Sequence, residues 1–189
     1  PELLDLLSIE RSIVTIDAMG CPKKIAQEII SRKADYILAL KDNQPGLYEE
    51  IVNFFNRHKV LKYKGRGYDF KHFEETDKGH GRIEVRKCTV IDQLSWMNEK
   101  DKWRGIKSIV MIESTRMIGD KAKQETRYYI TSLAAEPVTI AHGVRSDWGI
   151  ENSLHWVLDV SFNEDQSRIR KGYAPQNIAI VGSAQLTVS

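Results

Sequence analysis

Two short apolar runs near the start of the chain predict buried β-strands. The first runs from Ser12 to Asp17 and the second from Asp35 to Lys41, and both are dense in β-branched or large apolar residues. A segment with one apolar face at helical spacing follows each run. These faces consist of Ile25, Ala26, Ile29 and Ile30 after the first run and of Leu47, Ile51, Phe54 and Phe55 after the second. Strand, helix, strand and helix in this order predict an α/β fold.

From Tyr68 to Ser132 the pattern changes to an alternation of apolar and polar residues that is typical of strands. The predicted strands are 68–75, 82–91, 106–117 and 125–132. A turn cluster at 77–81 joins the first two as a β-hairpin, and Gly119 lies in the turn between the last two. We therefore expect an antiparallel β insertion, with a further helix beginning after Pro137.

These changes of pattern divide the chain into 1–67, 68–133 and 134–189. No linker rich in Pro, Gly or Ser separates the three parts, so we expect them to share one body. The leucines of residues 1–7 are typical of the end of an amphipathic helix that begins before residue 1. The chain is therefore expected to be a fragment.

Composition narrows the class of protein. The chain has 189 residues, of which 41% are hydrophobic, and a net charge of +2. This net positive charge is too small for the whole protein to attract polyanions. Any contact with a polyanion must therefore come from local clusters of basic residues. Cys21 and Cys88 lack the spacing of a disulfide framework or a zinc site, which favours the cytosol. No signal peptide is visible, and no apolar run approaches the roughly 18 residues of a membrane span.

Asp17 is the most informative candidate for chemistry. It ends the first predicted strand, at the kind of sheet edge where α/β proteins assemble their sites. Glu151 lies on the last predicted helix and reaches the same place only if the fold returns that helix to the sheet. Two carboxylates that share a divalent cation suit phosphoryl transfer. The pattern equally allows Asp17 to cap a turn and Glu151 to face water.

Other polar side chains surround Glu151 in the sequence. Glu151, His155 and Asp159 recur every four residues and so lie close to one helix face. This fits either an active-site edge or a solvated surface. Arg145 and Asn152 fit contacts with phosphate or with the site carboxylates, and they fit surface positions equally well.

Arg82 and Arg86 lie on one face of the second predicted hairpin strand. The guanidinium group of arginine can donate two parallel hydrogen bonds to a phosphate, so these residues favour nucleic-acid binding. Ion pairs to Glu74 and Glu75 on the neighbouring strand explain the same pattern equally well. The basic loop at 59–66 likewise fits either a nucleic-acid backbone or solvent.

Four segments carry a family resemblance, and they are Val14–Cys21, Asp35–Gln44, Gly79–Glu84 and Trp148–Val160. In this order they resemble bacterial insertion-sequence transposases of the DDE type, and among these the H-repeat-associated proteins. The resemblance covers nearly the whole chain, to about Ile180. Four ordered motifs together are far more specific than any one of them alone.

The resemblance implies an RNase H-like fold in which three carboxylates hold two Mg²⁺ or Mn²⁺ ions that drive DNA strand cleavage and strand transfer. Asp17 takes the place of the second Asp and Glu151 that of the Glu, both as catalytic residues and as metal ligands. The β-rich stretch corresponds to the insertion before the last catalytic helix. The residues expected to contact DNA are Arg82, Arg86, Arg145, Asn152 and His155.

The chain also departs from the family pattern. The first catalytic Asp and the opening strands have no counterpart after Pro1, which implies a partial RNase H-like fold. Asp147 stands where His is common, and residues 182–189 lose the Leu- and Arg-rich ending of the family. With the triad incomplete, we predict that this chain alone does not cleave DNA. Loss of the opening strands would expose a sheet edge, through which a homodimer is expected.

The expected function is that of the C-terminal portion of a DDE transposase. It would act on DNA, at element ends and at the target, in the bacterial cytoplasm with the nucleoid and not at a membrane. The alternative is a catalytically inactive DNA-binding or interaction remnant of a decayed mobile element. An RNase H-like nuclease is a third option, which the transposase-type motifs disfavour. Two carboxylates of one metal centre should lie within roughly 4 to 8 Å of each other.

Overall fold

The computed structural model describes residues 9–17, 23–41, 44–63, 67–79, 81–146 and 186–187. The strands are β1 (Ile13–Ile16), β2 (Asp35–Leu40), β3 (Lys71–Gly79), β4 (Arg82–Ile91), β5 (Ser108–Ile118), β6 (Lys121–Thr131) and β7 (Leu186–Thr187). The helices are α1 (Lys23–Ser31), α2 (Pro45–Val60) and α3 (residues 137–146), with a 3-10 turn at Lys100–Lys102. This confirms the predicted α/β class. None of these helices has the length and apolar character that a membrane crossing requires.

All the described strands belong to one mixed sheet with the order β3-β4-β5-β6-β2-β1-β7. β1 and β2 are parallel, whereas β3 to β6 form an antiparallel meander. β6 joins the two regions, because it pairs antiparallel with β2 and places Ile130 opposite Leu38. The β-rich stretch therefore continues the sheet of the first segment and does not form a separate layer.

α1 and α2 cover one face of the sheet. Leu47, Ile51 and Phe55 recur at helical spacing along α2, and all three are buried in the larger apolar core. Phe54 stacks on Trp96, with ring centroids 3.9 Å apart, and extends this core beneath the loop after β4. Pro45 begins α2, at a position where the missing N–H needs no partner.

α3 covers the opposite face of the sheet, which is the face that carries the candidate site. Ile140, Ala141 and Val144 pack there in a second apolar cluster with Ile37 and Tyr129. Strand residues alternate between the two faces, so the neighbours of Ile37 and Tyr129 along β2 and β6 belong to the larger core instead. Two apolar clusters on one sheet give the molecule its three layers.

The hairpin strands are longer than the alternation predicts. The segment 77–79 was expected in a turn, but it continues β3 because Asp77 pairs with Glu84 and Gly79 pairs with Arg82. The turn is confined to two residues, and Gly81 adopts a positive φ of 73°, which favours glycine. β6 likewise begins at Lys121, directly after the turn at Gly119, because its pairing with β5 continues to the tip.

The exposed sheet edge expected from the sequence can be located only in the described part of the sheet. Two of the β1 residues, Ile13 and Val14, pair with Thr187 and Leu186 of β7, so β1 is not an end strand. The strands with one unpaired side are therefore β3 and β7 in the described part of the sheet. The helix expected at residues 1–7 lies outside the described residues.

Candidate functional site

Asp17 lies at the carboxyl end of β1, as the sequence predicts. The parallel strand β2 ends at the same edge of the sheet and is followed by Lys41. Lys41 Nζ lies 3.4 Å from Asp17 Oδ1, and about half of the Asp17 side chain is exposed to solvent. The parallel arrangement thus brings an accessible carboxylate and a cation together where α/β proteins build their sites.

Arg127 is a second cation close to Asp17. The β2–β6 register pairs Leu40 with Tyr128, which places Arg127 beside the position of Lys41. Burial lowers the pKa of the Arg127 guanidinium, but the Glu125 hydrogen bond and the charges of Tyr129, Glu125 and Asp17 outweigh it and raise that pKa. Arg127 Nε donates to Glu125 Oε1 over 2.6 Å, so the guanidinium is held in place.

A groove lies between α3 and the sheet and opens beside these charges. Its apolar end is lined by Ile112, Tyr129, Ala141 and Val144, and its polar end by Glu75, Arg86, Glu125, Arg127 and Arg145. The apolar residues hold α3 against the sheet. The polar residues form a row of alternating charges that leads from the α3 terminus towards Arg127.

Arg145 fastens the described end of α3 to the edge strand β3. Its Nη1 lies 3.0 Å from Glu75 Oε2, and its Nη2 lies 2.7 Å from Asp77 Oδ2. The guanidinium, which was predicted to contact DNA, therefore has two acidic partners within the chain. Its role towards DNA stays a prediction, and the pairs show that it orients α3.

Arg86 and Arg82 differ sharply in their surroundings. Arg86 contacts Glu84 at 2.9 Å and Glu75 at 3.4 Å, and only 18% of its side chain is exposed. The ion-pair interpretation of the sequence pattern is therefore confirmed for Arg86, and Lys87 pairs with Glu74 in the same way. Arg82 is exposed at the hairpin end, and it forms no ion pair within the described part of the chain.

Three predicted site residues, Glu151, Asn152 and His155, lie outside the described residues. The expected distance of 4 to 8 Å between Asp17 and Glu151 therefore stays a prediction. Among residues 9–146, excluding the short undescribed gaps, no group of three His, Cys, Asp or Glu side chains converges as metal ligands would. Asp17 is thus the one predicted metal ligand whose surroundings the structure describes.

Lys41, Glu125 and Arg127 were not predicted as site residues. Lys41 was detectable in principle, because it follows the second apolar run just as Asp17 follows the first. Arg127 and Glu125 were not. Only the register between β6 and β2 brings Arg127 to the site, and Glu125 is the hydrogen-bond partner of Arg127.

Comparison with known proteins identifies relatives that match most of the chain. The model of the transposase DDE domain matches residues 1–179. The "Putative transposase YncI" of Escherichia coli O157:H7 is 40% identical over 183 residues, which cover 95% of this chain and 46% of that protein. The "H repeat-associated putative transposase YhhI" of Escherichia coli K12 is 36% identical over 183 residues, 93% of this chain and 47% of that protein. The chain therefore spans about half the length of these relatives. No solved structure matches the chain.

Proposed function

The chain belongs to the transposase DDE domain family, and on that premise we propose that the intact protein carries out metal-dependent cleavage and strand transfer of DNA. DNA at the element ends and at the target is the substrate. Asp17 and Glu151 are the two metal ligands that this chain supplies, with Mg²⁺ or Mn²⁺ as the ion. A bacterial cytoplasmic protein that works on the nucleoid fits this activity.

The surroundings of Asp17 fit a hard divalent cation. Its carboxylate is half exposed, and Lys41 is held at 3.4 Å rather than at the 2.7 to 2.9 Å usual for a short charge-assisted contact. A cation can therefore reach the oxygens without breaking a buried ion pair. When bound, such an ion activates the attacking oxygen and stabilises the leaving one.

The other residues of the site position the DNA. Lys41 and Arg127 place positive charge beside Asp17, and these charges suit the non-bridging oxygens of the scissile phosphate. Glu125 holds the Arg127 guanidinium in place, so little side-chain freedom is lost on binding. Arg145 orients α3, from which the chain leads on to Glu151.

The observation that carries the proposal is the accessible carboxylate of Asp17 at the shared end of two parallel strands, on the sheet face covered by α3.

Mn²⁺ binding, followed by electron paramagnetic resonance, tests the proposal. We expect Asp17→Asn and Glu151→Gln each to weaken binding at least tenfold, because each removes a carboxylate ligand. Asp92→Asn is the matched control, since Asp92 is an exposed acid outside the site. Equal Mn²⁺ affinity in all four proteins would refute the shared metal centre.

A DNA-binding or interaction remnant without catalysis is the second candidate. The contact between Asp17 and Lys41 favours it, because a positive charge of the chain itself already lies beside this carboxylate. In that case the chain would bind DNA, and neither Asp17→Asn nor Glu151→Gln would change its weak affinity for Mn²⁺.

A further inference from the structure

The meander β3 to β6 extends well beyond the part of the sheet that the helices cover. β5 and β6 contain 11 residues each, whereas β1 contains four and β2 six. The β5–β6 pairing continues to Ile118 and Lys121 at the tip. The outer half of the meander is therefore an exposed, paired ribbon that extends beyond the edge near Asp17.

Four basic residues, Arg82, Arg116, Lys121 and Lys123, form what we call the distal ladder. Arg116 pairs directly with Lys123, and Arg82 and Lys121 flank Ile118 on its two sides in the next row. Strand alternation places all four on the face that carries Arg127 and α3. The ladder thus continues the surface on which Asp17 lies.

The charge of this surface is balanced near α3 and unbalanced at the tip. Near α3, the acids Glu75, Asp77 and Glu84 all have arginine partners. At the tip, Lys121 and Lys123 are exposed and form no ion pair among the residues that the structure describes. Arg116 is 41% exposed, and its contact with Glu84 is long, at 3.8 Å.

The opposite face of the ribbon has a different chemistry. At the same level it presents Ile83, Met117 and Ala122, with Lys78 at the β3 edge. Positive charge at the tip is therefore concentrated on one face of the ribbon. That one-sidedness is what a polyanion lying along the face would recognise.

We infer that the distal ladder binds the phosphate backbone of duplex DNA whose reacting phosphate lies at Asp17. Lys121 is six residues from Arg127 along β6, roughly 20 Å at about 3.3 Å per residue. That length corresponds to about six base pairs of B-DNA at 3.4 Å each. The assignment rests on the proposed function, and it adds a contact to the flanking duplex that carries no sequence information.

Salt-dependent DNA binding by the chain tests the distal ladder. Each phosphate contact adds about 0.9 to the slope of log affinity against log salt. We therefore expect the double variant Lys121→Gln with Lys123→Gln to reduce that slope by about 2 for a 20-base-pair duplex, measured by fluorescence anisotropy. The matched control is Lys78→Gln with Lys100→Gln, which removes the same charge from exposed positions away from this face and should leave the slope unchanged.

The same variants separate this inference from the proposed function. A reduced slope with unchanged Mn²⁺ binding supports the ladder. An unchanged slope, an equal loss in the control, or no duplex binding by the original chain would overturn the ladder. If the chain bound polyglutamate through these lysines more tightly than it bound the duplex, the assignment to DNA would be overturned. Failure of the Asp17 metal experiment, with the slope still reduced, would refute the metal-dependent function alone.

Discussion

Asp17 has a counter-ion within its own chain because Lys41 ends the neighbouring parallel strand. The contact of 3.4 Å joins two half-exposed side chains, so water screens much of their attraction. A divalent cation that binds Asp17 must either displace the Lys41 ammonium or share the carboxylate with it. The ion pair is therefore a modest competitor for metal, and its strength can be measured through metal binding.

Replacing Lys41 by glutamine should strengthen Mn²⁺ binding about two- to fivefold. The variant removes a competing positive charge, and a screened pair of this kind contributes only a fraction of a kcal/mol to about 1 kcal/mol. Titration of Mn²⁺ with detection by paramagnetic resonance measures the change. Lys33→Gln is the control, since it removes a comparable exposed pair with Glu10, 3.3 Å apart. Weaker Mn²⁺ binding by Lys41→Gln would mean that Lys41 supports the site rather than competes for it.

For Arg86 the sequence offered the observed partner as one of two equal interpretations, whereas for Arg145 it did not indicate the partners. Strand alternation placed Arg86 beside Glu75, because hairpin neighbours are close in the chain and their register follows from the turn. Arg145 pairs with Glu75 and Asp77 across roughly 70 residues. Its partners depend on where α3 crosses the sheet, which local pattern does not determine.

α3 approaches β2 closely at Gly143, and this contact sets the position of the helix over the sheet. A Cβ at residue 143 would lie 2.9 Å from Ile37 Cδ1, and Ile37 is fully buried. Only glycine allows this approach without movement of the strand side chain. The described part of α3 is thereby held close to β2 at this point.

Gly143→Val should destabilise the fold by about 2 kcal/mol, because its methyl groups overpack the contact with Ile37. Gly143→Ala should be nearly neutral, since the gain in helix propensity offsets a small shift of the Ile37 methyl group. Gly46→Ala in α2 is the control, with no atom within 4 Å and an expected gain of about 0.5 kcal/mol. Urea denaturation measures all three. Equal stability of the Val and Ala variants at 143 would show that α3 does not pack this closely.

Glu99 joins α1 to the loop before β5, and this link should depend on pH. Hydrogen bonds from Lys102 and Lys23, both 2.8 Å long, lower the pKa of the Glu99 carboxyl to about 2. A lowered pKa in the folded state means that the stabilisation is present above about pH 4.5 and is lost as the pH falls towards 2. Acid should therefore loosen the contact between α1 and the loop.

Glu99→Gln should cost about 1 kcal/mol at pH 7, a value kept small by solvent screening of the exposed third of this side chain. The difference from the original chain should shrink below pH 4.5 and vanish near pH 2. Urea denaturation at pH 7, 4.5 and 3 measures it, with the exposed Glu49→Gln as control. A constant difference across this pH range would contradict the role of the ionised carboxylate.

At the scale of the molecule, the sequence predicted the elements better than their assembly. The apolar runs located β1 and β2, and alternation located all four meander strands. The pairing of β6 with β2 was not predictable, because these strands are some 90 residues apart and their register depends on tertiary packing. Yet that pairing brings Arg127 close to Asp17. It also places the distal ladder on the same sheet face as these two residues. The site is thus a product of sheet order more than of any single motif.

This chain alone should not cleave DNA, even though it should bind both metal and duplex. Three carboxylates are implied for the intact family site, and motif matching assigns two of them here, Asp17 and Glu151. Without one of the three carboxylate ligands, the two metal ions would not be held in the positions needed to stabilise the attacking and leaving oxygens. Supercoiled plasmid incubated with the chain in millimolar Mg²⁺ or Mn²⁺ should therefore remain supercoiled. The Asp17→Ala variant distinguishes contaminating nuclease from real activity, since only nicking that disappears in this variant would show that the two carboxylates suffice.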